Sequence, residues 1–161
     1  MYLKRKLDNS LSVIKGLRFG YRSKKRSFHR YTATVGVGGN IGDVVRRFER
    51  LFFYLLKERG VDVLETSLIL KNPPFGFKNQ GDFFNSIFVL KTSMQPKQLL
   101  KYLLRVEKKF GRKRSFANAP RTLDLDIIFF DDRVMDTKDL KIPHPYWDKR
   151  DSVLIPLMDI R

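Results

Sequence analysis

From Tyr31 onward the sequence predicts an α+β fold of element order β-α-β-β-α-β. Three observations carry that prediction. Strand-like and amphipathic helical runs follow one another in this order, glycine and proline breaks separate them, and the last strand carries two carboxylates in an otherwise apolar run. This is the split βαβ order of a ferredoxin-like sandwich, with one sheet containing antiparallel pairs and both helices on one face.

Tyr31 to Val37 alternates and is rich in small and β-branched residues, as a first strand ending in Gly38-Gly39-Asn40 would be. Val44, Val45, Phe48, Leu51, Phe52, Leu55 and Leu56 then recur at helical spacing, with Gly60 expected as the C-cap. Val61 to Leu70 reads as the second strand, Asn72 to Phe77 as an irregular loop stiffened by Pro73 and Pro74, and Phe83 to Leu90 as the third. The second helix has Ser93 as its expected cap, Pro96 in the first turn, apolar Leu99, Leu100, Leu103, Leu104 and Val106, and Gly111 at its end. After the fourth strand, Asp131-Asp132 marks a turn into a short β excursion through Val134, Met135, Leu140 and Ile142, and Ser152 to Ile160 reads as a short C-terminal helix.

The fourth strand holds the chemistry. With a side-chain period of two, Asp124 and Asp126 face one way while Leu123, Leu125 and Ile127 face the other. Two adjacent anions on an apolar strand need compensation, and divalent cations with Arg121 beside them would supply it for a phosphate ligand. A magnesium-phosphate site is the expectation, against the plainer reading of a strand with one solvated polar face.

At 161 residues the chain suits one domain, and 42% hydrophobic residues suffice for a core, with no apolar run of membrane-spanning length. A soluble protein is expected. The absence of cysteine excludes thiolate chemistry and cysteine-bound zinc, and His29 and His144 are too few for a histidine-rich metal site. Residues 1–30 hold ten Lys and Arg against the single Asp8, so they carry +9 of the +16 net charge. They form a basic N-terminal extension, with packing back onto the domain, a nucleic-acid arm and a membrane-surface tether as its possible roles. The domain proper is expected at 31–161.

Gly38-Gly39-Asn40, Asn72-Pro73-Pro74 before Asp82-Phe83-Phe84-Asn85, Gly111-Arg112, the run Ala119 to Asp126, and Pro143-His144-Pro145 with Arg150 occur in an order and spacing that resembles the 6-hydroxymethyl-7,8-dihydropterin pyrophosphokinase family. The resemblance covers about residues 31–160, and its specific part is Pro120-Arg121-x-x-Asp124-x-Asp126. It implies transfer of the pyrophosphoryl group of ATP to the hydroxymethyl oxygen of a reduced pterin in folate biosynthesis, releasing AMP. It also implies two Mg²⁺ ions on Asp124 and Asp126, with Arg112 and Arg121 joining them as catalytic, phosphate-contacting residues. Glu107, Arg112, Arg121, His144 and Arg150 become the ATP-binding set, and Asn72, Pro73, Phe75, Phe83 and Asn85 the pterin-binding set. A cytoplasmic monomer without nucleic-acid or membrane partners is expected.

The chain departs from that pattern in three places. Ser152 stands where many members have the aromatic that closes the pterin sandwich, with Trp147 as a candidate replacement; Arg161 follows soon after the last matching segment; and residues 1–30 lie outside the resemblance. The rival reading, from the +16 charge, is a nucleic-acid-binding ferredoxin-like module.

Overall fold

Two strands precede the first one predicted. In the computed structural model, which describes residues 2–161, β1 (Leu3–Lys6) and β2 (Ser12–Lys15) form an antiparallel hairpin. Asp8 Oδ1 accepts the backbone N–H groups of Ser10 and Leu11, each at 2.7 Å, and so closes the turn between them. Charge had masked this hairpin in the sequence. Ser12 and Ile14 are buried, whereas all of β1 is exposed and its Lys4, Arg5 and Lys6 guard a free sheet edge. Phe19, in the same basic segment, is 1% exposed and packs on Phe48 and Phe88.

The predicted elements follow as β3 (Tyr31–Gly39), α1 (Val44–Leu56), β4 (Val61–Thr66), β5 (Ile69–Asn72), β6 (Phe83–Thr92), α2 (Pro96–Lys109) and β7 (Asp124–Phe130). The β excursion is the small hairpin β8 (Met135–Asp136) and β9 (Lys141–Ile142), and the chain closes with α3 (Asp151–Asp159). The expected single strand from Val61 to Leu70 is two strands. At the break, Ser67 N–H donates to the Ile87 carbonyl, but Ile87 N–H donates to Ser67 Oγ, so a hydroxyl replaces a backbone acceptor and the ladder is interrupted.

Two expected caps also differ. Helix α1 ends at Lys57 in right-handed geometry, leaving Gly60 to begin the approach to β4. Helix α2 is capped at Gln95, whose N–H donates to Gln98 Oε1 at 2.8 Å, while Ser93 Oγ lies 2.7 Å from His29 Nδ1. Gly111, with φ +85°, terminates α2 as expected.

The main sheet runs β1-β2-β5-β6-β3-β7, with β4 beside β6 beyond the Ser67 bend, and its pairings are antiparallel. The mixed α+β, ferredoxin-like architecture is thus the observed one. Phe48, Leu51 and Phe52 of α1 and Leu99, Leu103 and Val106 of α2 pack with Val35, Phe88, Leu125 and Ile127 on one face. The opposite face carries Leu70, Ile87, Asp124 and Asp126, and α3 lies against it, with Ile155 and Pro156 beside Leu70. One face of the sheet is core, and the other is left for a site. Among the described residues no helix is long and apolar enough to cross a membrane.

Because Phe19 fills the core between α1 and β6, Phe19→Ala is expected to lower unfolding stability by about 3–5 kcal/mol in denaturant titration. A loss below about 1 kcal/mol would show that Phe19 contributes little to the core.

Candidate active site

Strand β7 forms the floor of the site. Its apolar residues Leu123, Leu125 and Ile127 are buried, which forces Asp124 and Asp126 onto the opposite face. Register adds a second condition: the cross-strand partner of Asp124 is Gly38 and that of Asp126 is Gly36. Neither partner has a side chain to cover the carboxylates. Gly38 is in turn opposite Asn85, and a Cβ at Gly38 would sit 2.8 Å from Asn85 Oδ1. The row Asp124–Gly38–Asn85 spans two strand spacings, about 10 Å, and Gly38 is buried with the Asn85 amide packed over it.

Each carboxylate oxygen of Asp124 has an arginine partner. Arg112 Nη1 donates to its Oδ1 and Arg121 Nη1 to its Oδ2, both at 3.1 Å. Arg112 also donates to the Leu123 carbonyl at 2.9 Å, and Arg121 Nε to that of Ala119 at 2.9 Å. The two guanidinium groups are therefore fixed beside the cleft by one carboxylate and two carbonyls. Arg121 further lies 5.2 Å from the centre of the Phe83 ring, which couples the anion side to the aromatic side.

Glu107, 2% exposed, is occupied internally: Oε1 accepts the Leu125 N–H at 2.8 Å and Oε2 accepts Arg114 Nη2 at 3.0 Å. Burial raises its pKa first, with Asp124 adding to the effect, while the Leu125 N–H, Arg114 and Arg112 oppose it. Glu107, Arg112 and Arg114 line a basic cavity of about 390 Å³ with Arg105 and Lys108. Arg114 is not among the residues singled out from sequence.

Asp126 differs from Asp124 in having no hydrogen-bonding side chain on its carboxylate among the described residues. Its pKa is pushed up to about 7, by crowding from protein atoms first and then by the Asp124 and Glu107 charges, with Arg121 and Arg112 opposing. The side chain is open to solvent on the cleft side, so water tempers the dehydration while the repulsion persists. Asp126, His144, Lys138 and Lys141 line a cleft of about 230 Å³. His144 is held there by its backbone, its N–H donating to the Ile128 carbonyl at 2.9 Å on the outer edge of β7. Burial, and then Arg150, lower its pKa, so the ring is biased toward the neutral form.

On the other side of the Gly38 row, Asn85 Nδ2 donates to Asn72 Oδ1 at 2.7 Å, and Asn72 Nδ2 to the Pro73 carbonyl at 2.8 Å. Phe83 faces the site and Phe84 packs against the core, as their alternation requires. Phe75 is exposed beneath Arg150, whose guanidinium carbon is 4.5 Å from its ring centre. Sequence placed Arg150 with the nucleotide residues; here it lines a cleft of about 390 Å³ together with Asn72, Pro73, Phe75 and Ser152. Trp147 packs edge-on against Phe129 at 5.0 Å.

Sequence reasoning assigned no role to the residues that join these parts. Asn40 Oδ1 accepts the Arg121 N–H at 2.9 Å, and its Nδ2 donates to Gln80 Oε1 at 2.9 Å and the Gly81 carbonyl at 3.1 Å. Gln80 Nε2 donates to Asn118 O at 2.9 Å, and Phe77 meets Phe116 edge-on at 5.1 Å. The loops after β5 and α2 thus touch. The position of Asn40 directly after a strand-ending Gly-Gly pair was the available signal.

In the absence of divalent cations, folding takes up a proton at Asp126. The carboxyl ionises in the unfolded chain at its ordinary value, yet stays protonated in the folded chain up to about 7. Its stabilising contribution is therefore full at low pH and declines as pH rises through that window. With chelator present, Asp126→Asn is expected to unfold at higher denaturant than wild type at about pH 8 and at the same denaturant at about pH 4. Equal midpoints at both pH values would contradict a raised pKa.

The family model described as 7,8-dihydro-6-hydroxymethylpterin-pyrophosphokinase matches residues 34–161. The 2-amino-4-hydroxy-6-hydroxymethyldihydropteridine pyrophosphokinase of Campylobacter jejuni is 44% identical over 132 residues, covering 82% of this chain and 83% of that protein. The Helicobacter pylori protein of the same name is 38% identical over 136 residues, covering 83% of each. A folic acid synthesis protein of Pneumocystis carinii is 34% identical over 140 residues, 87% of this chain but 19% of that longer protein. With the match running from within β3 through β7 and taking in the paired aspartates and both loops, this chain belongs to the 7,8-dihydro-6-hydroxymethylpterin-pyrophosphokinase family and is a pyrophosphokinase of folate biosynthesis.

Proposed function

We propose that this enzyme transfers the β,γ-pyrophosphoryl group of ATP to the hydroxymethyl oxygen of 6-hydroxymethyl-7,8-dihydropterin. The acceptor oxygen bonds to the β-phosphorus, the bond from that phosphorus to the α-phosphate oxygen breaks, AMP leaves, and the hydroxyl gives up its proton. The observation that carries this reading is the row from Asp124 across Gly38 to Asn85, which sets an anion-handling end opposite an amide-bearing end on one sheet face.

The donor set suits Mg²⁺. Asp124 and Asp126 offer hard oxygen ligands, Asp126 is a carboxylate lacking a hydrogen-bonding side chain, and among the described residues no group of three His, Cys, Asp or Glu side chains is placed to hold a metal ion. A metal that keeps waters and completes its shell with substrate phosphates needs no third carboxylate. Two such ions, held by Asp124 and Asp126, would neutralise the triphosphate and lower the pKa of the acceptor hydroxyl.

The chain's own residues supply position and charge. Arg112 and Arg121 present fixed donors toward the phosphates, and their planar forks suit phosphate oxygens better than lysine would. Neutral His144 can donate one hydrogen bond to a phosphate oxygen without adding charge. Glu107 aligns Leu125 and Arg114 from beneath. Asn85, held by Asn72, offers a donor and an acceptor to the pterin edge, while Phe83 offers it a face. Phe75, in the cleft with Ser152, provides aromatic surface near the departure from the family pattern.

Purified protein with ATP and Mg²⁺ is expected to form AMP only when the pterin is added. Asp126→Ala and Asp124→Ala are each expected to lower kcat by about 10³-fold or more. Near wild-type turnover in either would sink the metal assignment. Gly38→Ala places a methyl group 2.8 Å from Asn85 Oδ1, so it is expected to raise KM for the pterin more than for ATP. An equal rise in both would place Asn85 outside the acceptor site.

A further inference from the structure

The cleft bounded by Asn72, Pro73, Phe75, Arg150 and Ser152 has one more wall: Asp8, Ser10 and Leu11, the tip of the β1–β2 hairpin. This wall belongs to a segment that the family match, beginning at residue 34, does not include. The hairpin grips the acceptor side from two directions. Its β2 strand pairs with β5 as Ile14↔Ile69, Val13↔Leu70 and Ser12↔Lys71, so the ladder stops one residue before Asn72, where the loop departs. Its tip faces that loop across the cleft and is itself locked, with Asp8 Oδ1 accepting from Ser10 N, Ser10 Oγ and Leu11 N, and Leu7 N–H donating to the Leu11 carbonyl.

We propose that the hairpin is a positioning element for the acceptor substrate: its tip holds the Asn72–Phe75 segment at binding width and so sets pterin affinity without touching the phosphate chemistry. A loop restrained on its open side loses less freedom when the ligand arrives, which strengthens binding of that ligand alone. The inference rests on the acceptor-site reading given above. The basic charge of the hairpin is not the agent, since Lys4, Arg5 and Lys6 lie on β1, beyond β2; Leu11→Ala, which leaves every charge in place, separates the tip's packing from the Asp8 carboxylate that also lines the cleft.

The test uses the full chain with Asp8→Ala and Leu11→Ala, both at exposed or half-exposed positions outside the core, and Arg5→Ser as the charge control. Each tip variant is expected to raise pterin KM about three- to tenfold, with ATP KM and kcat within about twofold of wild type. Amide exchange at Asn72 and Phe75, the two residues of the segment that carry a backbone N–H, is expected to quicken in both tip variants and to stay unchanged in Arg5→Ser. Unchanged pterin KM in the tip variants, unchanged exchange, or an equal KM rise in Arg5→Ser would overturn the proposal. If wild-type protein formed no pterin-dependent AMP, the proposed function would fall. The exchange measurement would then still decide whether the tip restrains the loop.

Discussion

Asp124 binds two guanidinium groups with one carboxylate, and much of the site's arrangement depends on that arrangement. Arg112 and Arg121 arrive from opposite ends of the loop that follows α2, so their shared partner closes the loop at its base. Removing the carboxylate would leave two half-buried cations facing each other with only carbonyls to hold them, a loss larger than that of one ion pair. Through Arg121 the same contact fixes Phe83 on one side and Asn40 on the other. The pterin end and the first strand–helix turn are therefore set by a residue on β7.

The two aspartates divide their work because their surroundings differ. Asp124 spends its charge on arginines, whereas Asp126 faces the cleft with its charge uncompensated and disfavoured. A group that is costly as a free anion is one that a cation relieves most. Glu107 belongs to a third kind, buried and satisfied from within, and it makes the negative field at Asp126 steeper while anchoring the edge of β7. Three carboxylates within one strand and one helix thus have three distinct states.

The period-two alternation in the last strand made the shared face of Asp124 and Asp126 legible from sequence, and helical spacing did the same for α1 and α2. What stayed hidden depends on pairing, which a single strand does not record. That Gly36 and Gly38 stand opposite the aspartates follows from the β3–β7 register, and that Glu107 meets the Leu125 N–H follows from how α2 sits on the sheet edge. The β4–β5 break turns on one hydroxyl, Ser67, whose neighbours look equally strand-like. The hairpin of residues 3–15 was obscured by its lysines and arginines, although Ser12-Val13-Ile14-Lys15 carries a short alternation that its burial confirms.

The glycines opposite the aspartates bear on how the site could change under selection by an inhibitor. A ligand seated between Asp124 and Asn85 would be bounded at Gly38 by backbone, which substitution cannot remove. Resistance there would require growing a side chain, and at Gly38 the first added carbon already meets Asn85. Any residue large enough to expel such a compound would occupy the ground that the natural substrates cross, so escape and loss of turnover would arrive in the same mutation.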